Sequence, residues 1–369
     1  MKNLSWFERI FVVLNFPPAI LLLMAVFNVF VSPSTIWWIS FAGLGFPYIL
    51  LINFLFILFW LIKRNWWILL SLSILILNFK NIQNTFAWGN EKPFTKNNSN
   101  IIKVMNYNVR VFDLYEWSDD KNHQKEILKN VEEAHPQIAC FQEFYSTENP
   151  DYKKYNTIKK LTEKIGYKYY HFEITSTLRG IDHWGVATFS DFPIIKSGKI
   201  DFGNHTDNAA SFSDIQINNR IYRVINTHLQ SVYFGKEDYK YLDDIQLDDD
   251  KDINRGKRIL RKLKRGFVRR AHQADMVAKA VAESPYPVIV CGDFNDTPAS
   301  YSYHTIHQNL QDAFLVSSKG IGTSYISKFP FMRIDYILPD KSIEVMKFDV
   351  IKTNPYSDHY PIISWLKLK

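Results

Sequence analysis

Two stretches of this sequence, Ile10 to Val31 and Ile36 to Ile62, contain no charged residue. Only Asn15, Pro17, Pro18 and Asn28 interrupt the first. At ~20 residues per span, each is long enough to cross ~30 Å of hydrocarbon as a helix. A helix lying on the core of a water-soluble domain needs a polar outer face, and neither stretch has one. A cleaved secretory leader fits poorly, because the apolar part is too long and a second run follows directly. The chain is therefore expected to start with an all-α transmembrane region.

A third run, Trp66 to Phe79, is shorter, and length alone suits a re-entrant or interfacial segment. Lys80 can snorkel to an interface, and Trp66, Trp67 and Trp88 have the character of belt residues. Ile82, Phe86, Ala87 and Trp88 can extend the helix to a full span. The anchor, residues 1–88, thus holds two or three transmembrane helices. Lys2 and Arg9 precede the first run, Lys63 and Arg64 follow the second, and Ser32 to Thr35 carries no charge. The positive-inside rule puts the N-terminus and the Lys63-Arg64 loop in the cytoplasm. With three spans, the preferred reading, everything after residue 100 lies on the outer (periplasmic) face of the inner (plasma) membrane. With two, it lies in the cytoplasm.

Charge supports the same division. Of the net +7, residues 1–100 supply +5, from seven basic residues against Glu8 and Glu91. The rest of the chain is close to neutral, which is poor grounds for nucleic-acid binding, whose usual footprint is a basic domain. The two cysteines, Cys140 and Cys291, lie inside apolar runs without metal-ligand spacing. They are expected to be buried thiols, with no zinc site.

Residues 89–100, GNEKPFTKNNSN, read as a linker. Beyond it, short apolar or alternating runs recur at 101–108, 137–143, 185–190, 194–202, 211–217, 221–229, 287–294, 334–338 and 361–367. Helical patterns lie near 121–134, 155–166 and 256–284. This is a mixed α/β domain with many strands, over 101–369.

Several of these runs end in a polar cluster: MNYN at Asn108, CFQE at Glu143, INTH at His228, CGDFND at Asp293 and Asn295, RIDY at Asp335, YSDHYP at Asp358 and His359. A single Asn or Asp at a strand end is ordinarily a turn residue. Six such endings are another matter, since gathered carboxylates and imidazoles lose solvation unless a cation or proton transfer compensates. Carboxylates with an amide suit Mg²⁺, or Mn²⁺ as the alternative, and phosphoryl transfer needs such a cation.

In this order the motifs YNVR, FQE, NTHL, GDFND, DY and SDH resemble the endonuclease/exonuclease/phosphatase superfamily, over residues 101 to 369. The resemblance implies a four-layer sandwich of two mixed β-sheets flanked by helices. It implies Glu143 as principal metal ligand with Asn108 beside it and Asp358 as a second carboxylate near the metal. Asp293 would orient or activate water, and Asn295 would hold the phosphate. His228 and His359 would contact phosphoryl oxygens, with Asp335 orienting His359. Abasic-site endonucleases of the superfamily carry Asp and Tyr where this chain has Arg110 and His228. The chain is more similar to the deoxyribonuclease and sphingomyelinase branches, with Arg110, Asn295 and His228 as substrate contacts. GVATFSDFPI, from Gly185, resembles a structural strand pair.

The expected activity is that of a membrane-anchored, metal-dependent phosphoesterase, acting on phosphodiester or phosphomonoester bonds such as those of lipid headgroups. The alternatives are a membrane-tethered nuclease cleaving DNA or RNA, and a non-catalytic scaffold, which would predict a gap among these residues. Expected partners are the bilayer and a phosphorylated substrate, with no obligate protein partner. Arg255 to Arg270 holds nine basic residues and no acidic one. It reads either as a solvated amphipathic helix or as a face for anionic lipid or substrate. The acidic run from Asp243 to Asp252 reads as a loop neutralising it. His183, Trp184, Tyr301 and Tyr303 read as packing residues first and as a substrate mouth second.

Overall fold

Ser5 starts the first helix of the computed structural model, α1 (Trp6–Asn28), by a reciprocal cap. Its hydroxyl accepts the N–H of Glu8, and the Glu8 carboxylate accepts the N–H of Ser5. Two donors that the helix itself leaves free are thus satisfied. The structure describes residues 4–94, 100–117, 122–203, 208–232, 250–327, 330–352 and 356–369. The acidic run from Asp243, including the side chains of Asp250 and Asp252, lies outside the described residues, as do residues 95–99 of the linker.

The second uncharged run does not form one helix. A short 3₁₀ turn and α2 (Ser40–Leu44) precede Gly45, and α3 (Phe46–Lys63) begins with Pro47 in its first turn. Proline offers no N–H to a preceding helix but suits the start of a new one, so the break falls here. The third run forms α4 (Ile68–Leu77) and, after a bend at Asn78, α5 (Phe79–Thr85). The helix does not extend through Phe86, Ala87 and Trp88 as the sequence suggested. Phe86 is extended, and β1 (Ala87–Trp88) pairs with β10 (Lys319–Gly320). Ala87 is buried in the sandwich core, and that burial together with strand pairing outweighs helix continuation. Among the described residues, only α1 and α3 are long and apolar enough to cross a membrane.

The chain packs into two compact units. The described parts of the first are residues 4–86, 250–271 and 296–305. Chain order therefore does not separate the helices from everything after residue 100. In this unit Lys63 approaches Glu8, Phe59 stacks on Phe11 at 4.2 Å and Asn53 donates to Pro18 O at 2.9 Å, so α3 runs antiparallel to α1. Ser71 donates to Asn15, Asn78 to Leu22 O and Asn81 to Ala25 O. Those partner numbers rise together, so α4 and α5 run parallel to α1. Small and polar residues let apolar helices approach closely and hydrogen-bond across the gap. The outer faces stay apolar: Val13, Ile20, Leu51, Leu55, Leu69 and Ile76 are exposed.

The second unit is a sandwich of two mixed sheets flanked by helices, with described parts in 87–232, 272–295 and 306–369. Its strands are β2 (Ile101–Asn108), β3 (Ile138–Thr147), β4 (Tyr169–Leu178), β5 (Asp182–Ser190), β6 (Ile194–Ile200), β7 (Ala210–Ile217), β8 (Arg220–His228), β9 (Val288–Asp293), β11 (Asp335–Pro339), β12 (Glu344–Val350) and β13 (Ile362–Lys367). One sheet has the order β12-β13-β2-β3-β5-β4 and the other β11-β9-β8-β7-β6. The parallel pairs are β2–β3 and β8–β9. Val104, Ile138, Cys140, Val224, Ile289, Cys291, Ile337 and Ile362 belong to one buried core, and both cysteines are free thiols in it. Helix α6 (His123–Ala134) contributes Ile127 and Val131 to a second core, with Met105, Phe141 and Phe189. Gly185 to Ser190 fall in β5, in a structural role.

Candidate active site

Adjacent strands deliver the polar strand ends together. His228 at the end of β8 is in register with Asp293 at the end of parallel β9, and Asp293 is in register with Asp335 at the start of antiparallel β11. In the other sheet, Asn108 at the end of β2 lies beside Gln142 of β3. The β3–β5 register slips between Phe141 and Phe144, and in that bulge Glu143 takes a left-handed backbone, φ 48°. A bulge re-aims a side chain: Gln142 stays fully buried while the Glu143 side chain remains about one-third exposed. Asn295 (φ 52°) and Arg110 (φ 46°) are left-handed too, and such strain collects where surrounding structure over-determines it.

Asp293 is the centre of the arrangement. It is fully buried, and its Oδ1 accepts the Asn295 N–H at 2.8 Å. Its Oδ2 accepts from Asn108 Nδ2 at 3.0 Å and Asn295 Nδ2 at 3.3 Å. Two imidazoles flank the same oxygen, His228 Nε2 and His359 Nε2, each at 3.6 Å. His228 Nε2 also lies 3.8 Å from Glu143 Oε1 and is a buried ring nitrogen with no hydrogen-bond partner. With two carboxylates beside it, this ring nitrogen is open to a ligand.

Behind His359 stands Asp335. Its Oδ2 meets His359 Nδ1 at 2.8 Å, and its Oδ1 accepts from Asn106 Nδ2 at 3.3 Å. Burial raises the Asp335 carboxyl above its ordinary range, Asp293 adds to the shift, and His359 opposes it. Burial pulls His359 down, but the charges of Asp335 and Asp293 outweigh that and hold it well above the ordinary imidazole value. The pair thus favours a proton on the ring, with Nε2 pointed at Asp293.

The donor set suits a hard divalent cation. Glu143 Oε1 is bridged by Asn108 Nδ2 at 3.2 Å, and Asn108 Oδ1 accepts the N–H of Arg110. Ser357 Oγ donates to Asn108 O at 2.8 Å and lies 3.4 Å from Asp358 Oδ1, so Asp358 is close to the same strand end. Asp358 is paired with Arg110 at 3.7 Å. Among the described residues, Asp293, Asp335 and His359 each offer a possible ligand atom, and these atoms all lie within 4.8 Å of one another. Their Asp335–His359 hydrogen bond makes them a proton-holding group as much as a ligand group. All nine residues singled out in the sequence therefore lie in one connected site.

Sequence reasoning missed the layer beneath. Gln142 Nε2 donates to Asn106 Oδ1 at 2.8 Å and to Asn226 Oδ1 at 2.7 Å, and Asn226 Nδ2 reaches Ala187 O at 3.0 Å. This buried amide chain joins the two sheets directly under the site. Its signal was present: Asn106 and Asn226 each lie two positions before a site residue, on the same strand face. Trp117 was also missed. It lies 4.8 Å from the Arg110 guanidinium and 5.2 Å from Tyr115, with both rings exposed. Trp184 packs on Tyr145 and Tyr303 is fully buried, so those two are packing residues.

A family model described as the endonuclease/exonuclease/phosphatase family matches residues 105–359. A model described as a domain of unknown function matches residues 8–85. No curated protein sequence matches the chain. Among solved structures, the human Nocturnin catalytic domain with bound sulfate is 19% identical, with TM-score 0.51 over 73% of this chain and 94% of that one. Endonuclease/exonuclease/phosphatase proteins from Bacteroides vulgatus and Bacteroides thetaiotaomicron are each 16% identical, with TM-score 0.51. Each match covers 73% of this chain, and 99% and 98% of theirs. At these identities the likeness is one of fold.

Proposed function

The chain belongs to the endonuclease/exonuclease/phosphatase family, and from that premise we propose that it is a membrane-anchored, Mg²⁺-dependent hydrolase of phosphate esters. The observation that carries this reading is the Asp293 carboxylate, fully buried and faced by two imidazoles and two amides. The site has the parts a phosphoryl transfer needs, with no gap of the kind a non-catalytic scaffold would have. Glu143, Asn108 and Asp358 would hold the cation, which supplies charge neutralisation for the phosphoryl oxygens. Asp293 orients the attacking water and accepts its proton. His228 Nε2 binds a non-bridging oxygen, and Asn295 Nδ2 binds another on releasing Leu229 O, to which it donates at 3.0 Å. His359, kept protonated by Asp335, donates to the phosphoryl group.

The apolar outer faces of α1, α3 and α4 support a bilayer partner, because a water-soluble unit would not expose so much contiguous apolar surface. The same helices support the outer-face location. Since α4 and α5 run parallel to α1, the chain leaves α5 near the end of α1 remote from the N-terminus. Later residues of this unit meet that end as well: Ala299 at Asn28, Lys264 at Trp37 and Phe267 at Phe41. With the N-terminus inside by its flanking charges, that end faces outward. A substrate carried by the outer leaflet, a phosphorylated lipid headgroup, is the first choice. A C-terminal alkaline phosphatase fusion, active only after export, is expected to score positive; an inactive phosphatase with a fluorescent cytoplasmic fusion reverses the side.

A second reading, a tethered nuclease, is favoured by one observation. Trp117 and Tyr115 present exposed rings beside Arg110, the arrangement on which a base stacks next to its phosphate. Purified full-length protein in detergent, given Mg²⁺ and a panel of lipids with phosphorylated headgroups, DNA and RNA, separates the two. Lipid turnover insensitive to Trp117→Ala supports the first, and nucleic-acid turnover lost in that variant supports the second.

A further inference from the structure

Asp296 to Ser300, the residues directly after the GDFN motif, are all buried, and two of the groups that hold them come from the N-terminal helices. Thr297 Oγ1 donates to Gly43 O at 2.9 Å, and Asn28 Nδ2 donates to Ala299 O at 2.8 Å. Gly43 is a close approach that tolerates no side chain. A Cβ there would fall 2.2 Å from Asn28 Nδ2 and 2.6 Å from Ala299 O. From the other side, the buried Arg270 guanidinium lies 3.3 Å from Asp296 Oδ2, which also takes the Ser302 hydroxyl at 3.1 Å. Arg270 belongs to the helix Asp250–Ala282, and one turn earlier on it Phe267 meets Phe41 edge to face at 5.4 Å.

An anchor alone has no use for this. A buried amide N–H in an apolar helix is unfavourable unless it is paired, and Asn28 Nδ2 finds its partner 271 positions away in the sequence. Asp296 is covalently next to Asn295, and Asn295 is left-handed, a conformation asparagine tolerates better than most residues but which its flanking chain still has to select. On one side the chain is fixed by β9. On the other it is fixed by the bonds to Asn28 and Gly43.

We propose that the N-terminal helices position the catalytic loop: Asn28 and Gly43 hold Thr297–Ala299 and so keep Asn295 in place beside Asp293. Asn28, Gly43 and Thr297 are positioning residues, and the domain matched by residues 8–85 is part of the catalytic machinery's support as well as a tether. The proposal rests on the phosphoesterase reading for its kinetic arm only.

The test uses the full chain in detergent, with Asn28→Ala and Thr297→Val as breaking variants and Thr297→Ser as the conservative one. Asn53→Ala is the control: it removes an equally buried amide–carbonyl bond, to Pro18 O, within the same helices. Hydrogen–deuterium exchange is read on the peptide covering 288–302, and kcat and KM are read with bis(p-nitrophenyl) phosphate and Mg²⁺. Asn28→Ala and Thr297→Val are expected to speed exchange at 296–300 and to lower kcat roughly tenfold or more with little change in KM, since small misplacements at a site are expensive in rate. Thr297→Ser and Asn53→Ala are expected to do neither. Unchanged exchange in both breaking variants overturns the proposal, and so does an Asn53→Ala that mimics Asn28→Ala. Absence of wild-type hydrolysis would count against the phosphoesterase reading, while the exchange arm still decides this one.

Discussion

The helical unit and the sandwich both bury many amides, yet they use them differently. In the helices Asn28, Asn53, Asn78 and Asn81 each donate to a backbone carbonyl of another segment, and the surrounding surface is apolar. In the sandwich Asn106, Asn108, Gln142, Asn226 and Asn295 converge on each other and on carboxylates, and one imidazole nitrogen is left without a partner. Amides that donate across apolar helices specify packing and register. Amides gathered around buried charge hold that charge ready for a ligand. Burial of polar groups is therefore not by itself a mark of function, and neither is a missing partner, since Asn28 Oδ1 and Asn53 Oδ1 lack one in the helices; convergence of amides and imidazoles on a buried carboxylate is.

The largest expected effect tests the sandwich half of that contrast. Chelation by EDTA, or Glu143→Ala, is expected to abolish nearly all turnover while circular dichroism stays native, because the partly exposed Glu143 side chain supports no core. Full activity in chelator breaks the metal assignment. Asp293→Asn comes next, with a kcat loss on the order of 10² or more and little change in KM. A raised KM at constant kcat would make Asp293 a binding residue instead. Asp335→Ala, which frees His359 Nδ1, is expected to cost roughly 10- to 100-fold in kcat, the usual scale for losing a group that orients a histidine; an unchanged rate would remove His359 from the chemistry. The smallest effect falls in the helices. Asn53→Ala should lower stability in detergent by about 1 kcal/mol, read from the thermal midpoint, and leave kcat unchanged. A large kcat loss there would erase the distinction between packing amides and site amides.

Much of the site was legible because its residues end apolar runs, and a strand delivers its last side chain to the sheet's edge. Asn108, His228 and Asp293 follow that rule directly. β4 and β12 were not legible: β4 is an exposed edge strand whose residues alternate weakly, and Glu344, Lys347 and Asp349 break up the apolar residues of β12. Asn106 and Asn226 were passed over because a polar residue within a strand shows its purpose only once a partner from the other sheet faces it.

The sequence by itself determined the uncharged helices, the mixed α/β character after residue 100 and the identity of the groups at the site, since each follows from local patterning or from residue type. Only the tertiary structure decided that the second uncharged run breaks at Gly45, that residues 87–88 leave the third helix for a strand, and that Glu143 turns toward the site from a bulge. It alone decided that Asn28 reaches Ala299. These are choices between local conformations of nearly equal free energy, and long-range burial and hydrogen bonding, invisible along the chain, tip the balance between them.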